Sequence, residues 1–265
     1  MEFVSPTTLH EAFDALMLDE ARCLAGGQSL VAMMNLGLLT PKRLVSLRRI
    51  DDLRGIVRQP DGSLRIGAMT THAELADLDS PNSSVLTKAA RVVAYPAVRM
   101  QGTLGGSVAH ADPAADYPVA LTAAGAWVEI ASSRGTRLLA ARDFFRGMFE
   151  TALQQGEIVS AIVLPPVPQQ TRVAYQKLSL VAGDFAIVSV AAIVSDTAQI
   201  AIGGCGPKPL FVSDLDLTDA ALLEAGRRLA AESDPPNDQR ASAAYRRRVM
   251  PELLRRAVRA ALASQ

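Results

Sequence analysis

The stretch TLGGSVAHADPAAD, Thr103 to Asp116, sets two adjacent glycines between hydroxyl residues and follows them with a histidine, two aspartates and a proline. A structural turn needs one or two of these features, whereas a site for an anionic ligand uses nearly all of them. Gly102, Gly105 and Gly106 allow backbone to press against a ligand, and Thr103 and Ser107 supply hydroxyls. Asp112 either caps a helix begun by Asp112 and Pro113 or faces the ligand. Asp116, about one turn further on, could meet a hydroxyl-rich ligand from the same side.

A second glycine turn lies upstream. LAGGQS (24–29) reads as a strand, a turn and a helix start, with Ser29 a possible N-cap. Unpaired amides at a helix N-terminus, with glycines that permit close approach, suit an anion; taken alone, the same residues are more often an ordinary turn. Two such turns in one domain suggest a diphosphate held between two lobes, and hence a nucleotide-like cofactor. Neither fits the G-x-x-x-x-G-K-[ST] loop or the G-x-G-x-x-G fingerprint. His110 is a candidate acid or base without a placed partner. His10, His72 and His110 show no ligand spacing, so no metal site is expected.

Composition bounds the rest. The 265 residues suffice for one large domain or two smaller ones; 49% are hydrophobic and 20% charged, as in a folded globular protein. Lys+Arg and Asp+Glu are both 27, so no bulk field gathers nucleic acid or acidic lipid. The two cysteines, Cys23 and Cys205, form no C-x-x-C pair, so this chain alone does not supply four cysteines to an iron–sulfur cluster. The start lacks a signal-peptide pattern and the apolar runs are too short to span a bilayer, so the expected location is cytoplasmic, away from membranes.

Along the chain, Thr8/Glu11 and Thr71/Glu74 are candidate capping boxes, and Pro60-Asp61-Gly62 is a hairpin turn. Pro165, Pro166 and Pro168 form a stiff connector. Beyond it, VAYQKLSL, DFAIVSVAAIVS and AQIAIGGCG read as consecutive antiparallel strands, followed by two helices. The spacing of Tyr245, Val249, Leu253 and Ala257 predicts the apolar face of the last helix, with arginines on its other faces. This divides the chain into domains 1–165 and 166–265.

Four segments, AGGQSLVAMM (25–34), RMQGTLGGSVAHADPAADYP (99–118), DFFRG (143–147) and GDFAIVSVA (183–191), occur here in one order. Together they resemble the FAD-binding medium subunit of the molybdenum hydroxylases, over nearly the whole chain. The resemblance implies an α+β protein: a PCMH-type (vanillyl-alcohol-oxidase-like) FAD-binding domain, then a smaller C-terminal α/β domain with an antiparallel sheet. It implies that Ala25, Gly26, Gly27, Gln28 and Ser29 hold the FAD diphosphate. Thr103, Leu104, Gly105, Gly106 and Ser107 would lie along the diphosphate and ribityl chain, with Asp116 on a cofactor hydroxyl and Lys177 near the flavin; the alternative for Lys177 is a solvated strand residue. No protein residue is expected to be catalytic in itself, since the flavin carries the redox chemistry.

The implied partners are an iron–sulfur small subunit, whose [2Fe–2S] clusters pass electrons to FAD, and a molybdenum-cofactor large subunit; NAD⁺ or another acceptor then takes the electrons. The arginines from Arg240 to Arg259 are a candidate surface for such a partner. A stand-alone flavin oxidase and a non-enzymatic nucleotide-binding module are the competing readings. The family often has Asn at Met100, a basic residue near Gly37 and an acid near Ser46, so the chain departs from its pattern there.

Overall fold

The structure is a computed structural model that describes residues 1–264. Its first unit comprises β1 (Glu2–Val4), α1 (Leu9–Leu16), β2 (Ala21–Leu24), α2 (Leu30–Asn35) and β3 (Arg43–Ser46). The strands form a parallel sheet in the order β1-β3-β2. Thr8 caps α1 by accepting the Glu11 N–H, while the Glu11 carboxylate reaches back to Thr7 instead of completing the box at Thr8. Ala12, Phe13 and Leu16 bury the inner face of α1.

Next come β4 (Ile56–Arg58), β5 (Leu64–Gly67), α3 (His72–Ala76), α4 (Ser84–Val92), α5 (Pro96–Arg99), α6 (Leu104–His110) and α7 (Asp116–Ala123). They are followed by β6 (Trp127–Ser132), β7 (Gly135–Ala140), α8 (Ala141–Phe144), β8 (Phe145–Gly147), β9 (Glu150–Thr151) and β10 (Ile158–Leu164). The hairpin at Pro60-Asp61-Gly62 is present, with Gly62 at φ +84°, and Thr71 and Glu74 form a complete capping box. The main sheet runs β4-β5-β10-β6-β7. Every residue of β10 is buried, which is why IVSAIVL shows no polar alternation.

The third sheet, β11 (Arg172–Leu178), β12 (Val188–Val194), β13 (Ala198–Gly203) and β14 (Leu210–Ser213), is an antiparallel meander followed by α9 (Asp219–Glu232) and α10 (Ala243–Ala263). β12 is buried on both faces: Val190, Ala192 and Val194 join the core under α9 and α10, while Ala191 and Ile193 join the core of the preceding half. Helix α4 thus packs directly against β11 and β12, and α7 against β12 and β13. That contact brings β11 to the site described below.

Around the glycine motif the sequence expectations change. Thr103–Ser107 is the capped first turn of α6, and the helix expected to start at Asp112 starts at Asp116. Left-handed Ala111 (φ +51°) ends α6, and Asp112 Oδ1 accepts the Ala114 N–H in a short turn instead of capping α7.

The buried line of α10 is Arg246, Met250, Leu254, Ala257, Val258 and Ala261; Tyr245, Val249 and Leu253 sit half-buried on its flank. Arg246, at 1% exposure, donates to the carbonyls of Ile187 and Gly204 and grips both Asp238 oxygens at 2.8 and 2.9 Å.

The arginine run as a partner surface is accordingly overturned at Arg246, which is internal because it satisfies two buried carbonyls. Arg247 reaches the Ser233 carbonyl, and Arg255 and Arg259 pair with Asp219 to tie α10 to α9.

Candidate functional site

A cleft of about 730 Å³ opens between the loop after β2, the start of α6 and the segment that follows β11. Its wall includes Ala25, Gly26, Gly27, Gln28 and Ser29, together with Thr103, Gly105, Gly106, Ser107, Asp116 and Lys177. These are the residues singled out in the sequence, with one exception. Leu104 is fully buried and does not reach the wall, because α6 turns its side chain into the main core.

The two glycine segments differ in what they offer. Gly27 adopts φ +74°, a conformation that strains any residue with a Cβ. A Cβ on Gly26 would lie 2.1 Å from the Gln101 carbonyl oxygen, so the first loop packs directly on the segment before α6. Among the described residues, no acceptor takes the N–H groups of Gly26, Gly27, Gln28 or Ser29. Ser29 stands at the N-cap position of α2 without a side-chain capping bond. The loop therefore presents a row of unpaired donors.

The amides of α6 are already engaged. Leu104 donates to Thr70 O at 2.9 Å, Gly105 to Ala68 O at 2.8 Å, Gly106 to Thr103 Oγ1 at 3.2 Å and Ser107 to Thr103 O at 3.1 Å. A Cβ on Gly105 would sit 2.4 Å from the Ala68 Cβ, and one on Gly102 would sit 2.6 Å from His72 Nε2. These two glycines admit neighbouring protein, where the sequence suggested room for a ligand. From this segment the Ser107 hydroxyl remains without a partner among the described residues.

Asp116 and Lys177 form a buried pair that also lines the cleft. Lys177 Nζ donates to Asp116 Oδ2 at 2.9 Å and to the Val92 carbonyl at 3.1 Å, and the Tyr175 hydroxyl donates to Asp116 Oδ1 at 2.7 Å. The two charged side chains are 5% and 6% exposed, so Lys177 is not a solvated strand residue. Burial pushes the Asp116 carboxyl above its usual range, against the pull of Lys177 and Tyr175.

His72 also lines the cleft; its Nδ1 shares a 2.9 Å hydrogen bond with the Tyr117 hydroxyl, and burial pulls its imidazole down to about 4. His110 lies half-buried against Phe149, with ring centroids 5.0 Å apart.

The sequence reading missed Arg22, Met69, the turn Val93–Tyr95 and the pair Ile158–Val159, all on the wall. Apart from Arg22 these are apolar or aromatic groups or backbone, which leave no polar signature. Gly183 to Phe185, also on the wall, were visible only as part of a quoted motif. Unpaired amides at one place, a hydroxyl beside them and long apolar walls beyond suit a dinucleotide with an anionic middle and flat rings.

A model of the FAD binding domain in molybdopterin dehydrogenase matches residues 1–167, and one of the CO dehydrogenase flavoprotein C-terminal domain matches residues 173–261. The chain belongs to the FAD-binding medium subunits of the molybdenum hydroxylases. Its cofactor is FAD. It is similar to the carbon monoxide dehydrogenase medium chain of Afipia carboxidovorans, 35% identical across 92% of this chain and 90% of that one. It is also similar to the glyceraldehyde dehydrogenase medium chain of Sulfolobus acidocaldarius, 33% identical across 96% of each.

Among solved structures, the reconstituted CO dehydrogenase from Oligotropha carboxidovorans superposes with a TM-score of 0.94 at 33% identity, over 100% of this chain and 98% of that one. Quinoline 2-oxidoreductase from Pseudomonas putida 86 gives 0.89 at 31%, over 98% and 96%. This medium subunit therefore has the fold its motifs implied. Among the described residues, no helix is long and apolar enough to cross a membrane, and no group of three or more His, Cys, Asp or Glu could hold a metal ion.

Proposed function

We propose that the chain is the electron-transferring flavin subunit of a molybdenum hydroxylase complex. Electrons pass from [2Fe–2S] clusters of an iron–sulfur small subunit through FAD to NAD⁺ or another acceptor, after a molybdenum-cofactor large subunit has oxidised the organic substrate. The similarity to named medium chains along nearly the full length of both partners supports this assembly. We further propose that a flavin domain, residues 1–165, and a C-terminal domain, 166–265, divide the work, with β11 of the second completing the cleft of the first.

The observation that carries the cofactor assignment is the row of unpaired amides at Gly26, Gly27, Gln28 and Ser29. In this reading they receive the FAD diphosphate, which needs no lysine when backbone donors surround it. Ala25 and the Ser107 hydroxyl flank it. Thr103, Gly105 and Gly106 shape the wall beside the ribityl chain, Asp116 accepts a cofactor hydroxyl, and Lys177 lies close to the flavin ring.

When bound, FAD supplies the ability to take up and release electrons; the protein's part is to hold it, exclude water and fix its orientation. The test is to purify the chain with its co-expressed partner subunits and follow flavin absorbance as the clusters are reduced. Bleaching that needs the iron–sulfur subunit supports the reading. Rapid flavin reduction by a small organic substrate in the isolated chain supports a stand-alone flavoenzyme instead.

A further inference from the structure

Tyr175 and Lys177 are two residues apart on β11 and therefore project from the same face, toward α4 and α7. Both end on Asp116, the first residue of α7, one at each carboxylate oxygen. Lys177 lies on the cleft wall, whereas Tyr175 does not; its ring packs into the main core beside the cleft. The Tyr175 hydroxyl thus reaches the site only through Asp116. A carboxylate held at one oxygen by a flexible lysine can still turn about its Cβ–Cγ bond. A second donor at the other oxygen, on a ring fixed by packing, removes that freedom.

From this geometry we propose that Tyr175 is a positioning residue for FAD: its hydroxyl locks the plane of the Asp116 carboxylate so that the remaining lone pairs face the cleft. The inference rests on the reading that Asp116 accepts a hydroxyl of the cofactor. It also gives β11 a role in the site beyond supplying Lys177. The strand carries a donor for each Asp116 oxygen, and Lys177 also ties the end of α4 to the start of α7 through the Val92 carbonyl. Cofactor retention then depends on how the C-terminal sheet docks on the first half.

The test is the affinity of the full chain, stripped of flavin, for FAD, measured by quenching of flavin fluorescence. Tyr175→Phe keeps the ring and removes only the hydroxyl. It is made in the wild type and in an Asp116→Ala/Lys177→Met background, where no buried charge is left unpaired. The expected result is affinity about 5- to 10-fold weaker in the wild type and within about 2-fold in the double-variant background, the pattern of one hydrogen bond acting through one partner. The unfolding temperature of the flavin-free chain is followed alongside, because a merely structural hydroxyl would lower it without making the loss of FAD affinity depend on Asp116.

Equal losses in both backgrounds, or no loss in the wild type, would overturn the proposal. If Asp116→Ala/Lys177→Met alone retains wild-type affinity, the assignment of Asp116 fails and takes this inference with it, while FAD binding stands. A wild-type chain that takes up no FAD is a different failure, of the cofactor reading itself.

Discussion

Lys177 Nζ and Asp116 Oδ2 lie 2.9 Å apart, nearly sealed from solvent, and join a strand of the C-terminal sheet to a helix of the preceding half. Their 61 residues of separation make this contact a property of the tertiary fold, invisible to local pattern. An ammonium and a carboxylate buried together are stable mainly because each is the other's counter-charge, and removing one strands the other.

Lys177→Met should destabilise the flavin-free chain by about 3 kcal/mol, the usual cost of breaking a buried pair from one side. Adding Asp116→Asn should recover much of that loss without restoring FAD affinity. Denaturant unfolding of the three proteins measures the stabilities, and quenching of flavin fluorescence measures the affinities. Recovery of affinity along with stability would show that FAD needs only an acceptor at position 116 and not its charge.

Gly27→Val and Gly105→Val should fail in different ways. At Gly27 a Cβ meets only the Val31 and Leu24 side chains, at 3.2 and 3.4 Å, so the chain should still fold, with a strained loop and little FAD. At Gly105 the clash is with Ala68, including its backbone, so the main core itself is disrupted. Far-ultraviolet circular dichroism paired with flavin absorbance separates the two outcomes. A Gly27→Val protein with full flavin content would remove the first loop from the site.

Arg246→Glu should unfold the C-terminal sheet rather than loosen a partner, because it reverses a buried charge and leaves the Ile187 and Gly204 carbonyls without their donor. Arg248→Glu, on the outer side of the helix, should change stability by no more than about 0.5 kcal/mol. Thermal melts of the single variants check this. Comparable melting of both would contradict the internal role of Arg246.

His72 sets a pH dependence. Burial holds its imidazole near 4 in the folded chain, below the ordinary value of 6.5. Between those values the unfolded chain binds more protons than the folded one, so His72 subtracts stability as pH falls through that window and has no such effect above it. The effect amounts to roughly 2–3 kcal/mol at pH 4. His72→Gln should flatten the difference in unfolding free energy between pH 7 and pH 4.5; an unchanged slope would place the titrating group elsewhere.

Much of the site could be read in advance because its parts are short and chemically marked. Gly27 stands in a turn that needs a left-handed residue, and Ser107 and Asp116 belong to a stretch dense in hydroxyl and carboxylate groups. The division of labour between the two glycine segments was not legible. Whether the amides of Gly105 and Gly106 are free depends on Ala68 O and on the Thr103 side chain, and only folding brings Ala68 there. The buried line of α10 was misread for a similar reason. Four-residue spacing fits Tyr245–Leu253 and Arg246–Leu254 equally well, and an arginine in the buried line looks polar until its carbonyl partners are in place.

The claim that the loop Gly26–Ser29 carries the diphosphate is tested most directly by comparing FAD with riboflavin, which has the same ring and no phosphate, as ligands of the flavin-free chain. The account predicts FAD binding at one per chain and at least about 100-fold tighter than riboflavin, equivalent to roughly 2.7 kcal/mol. Riboflavin binding within a few-fold of FAD would contradict it, since the amide row would then contribute nothing to holding the cofactor.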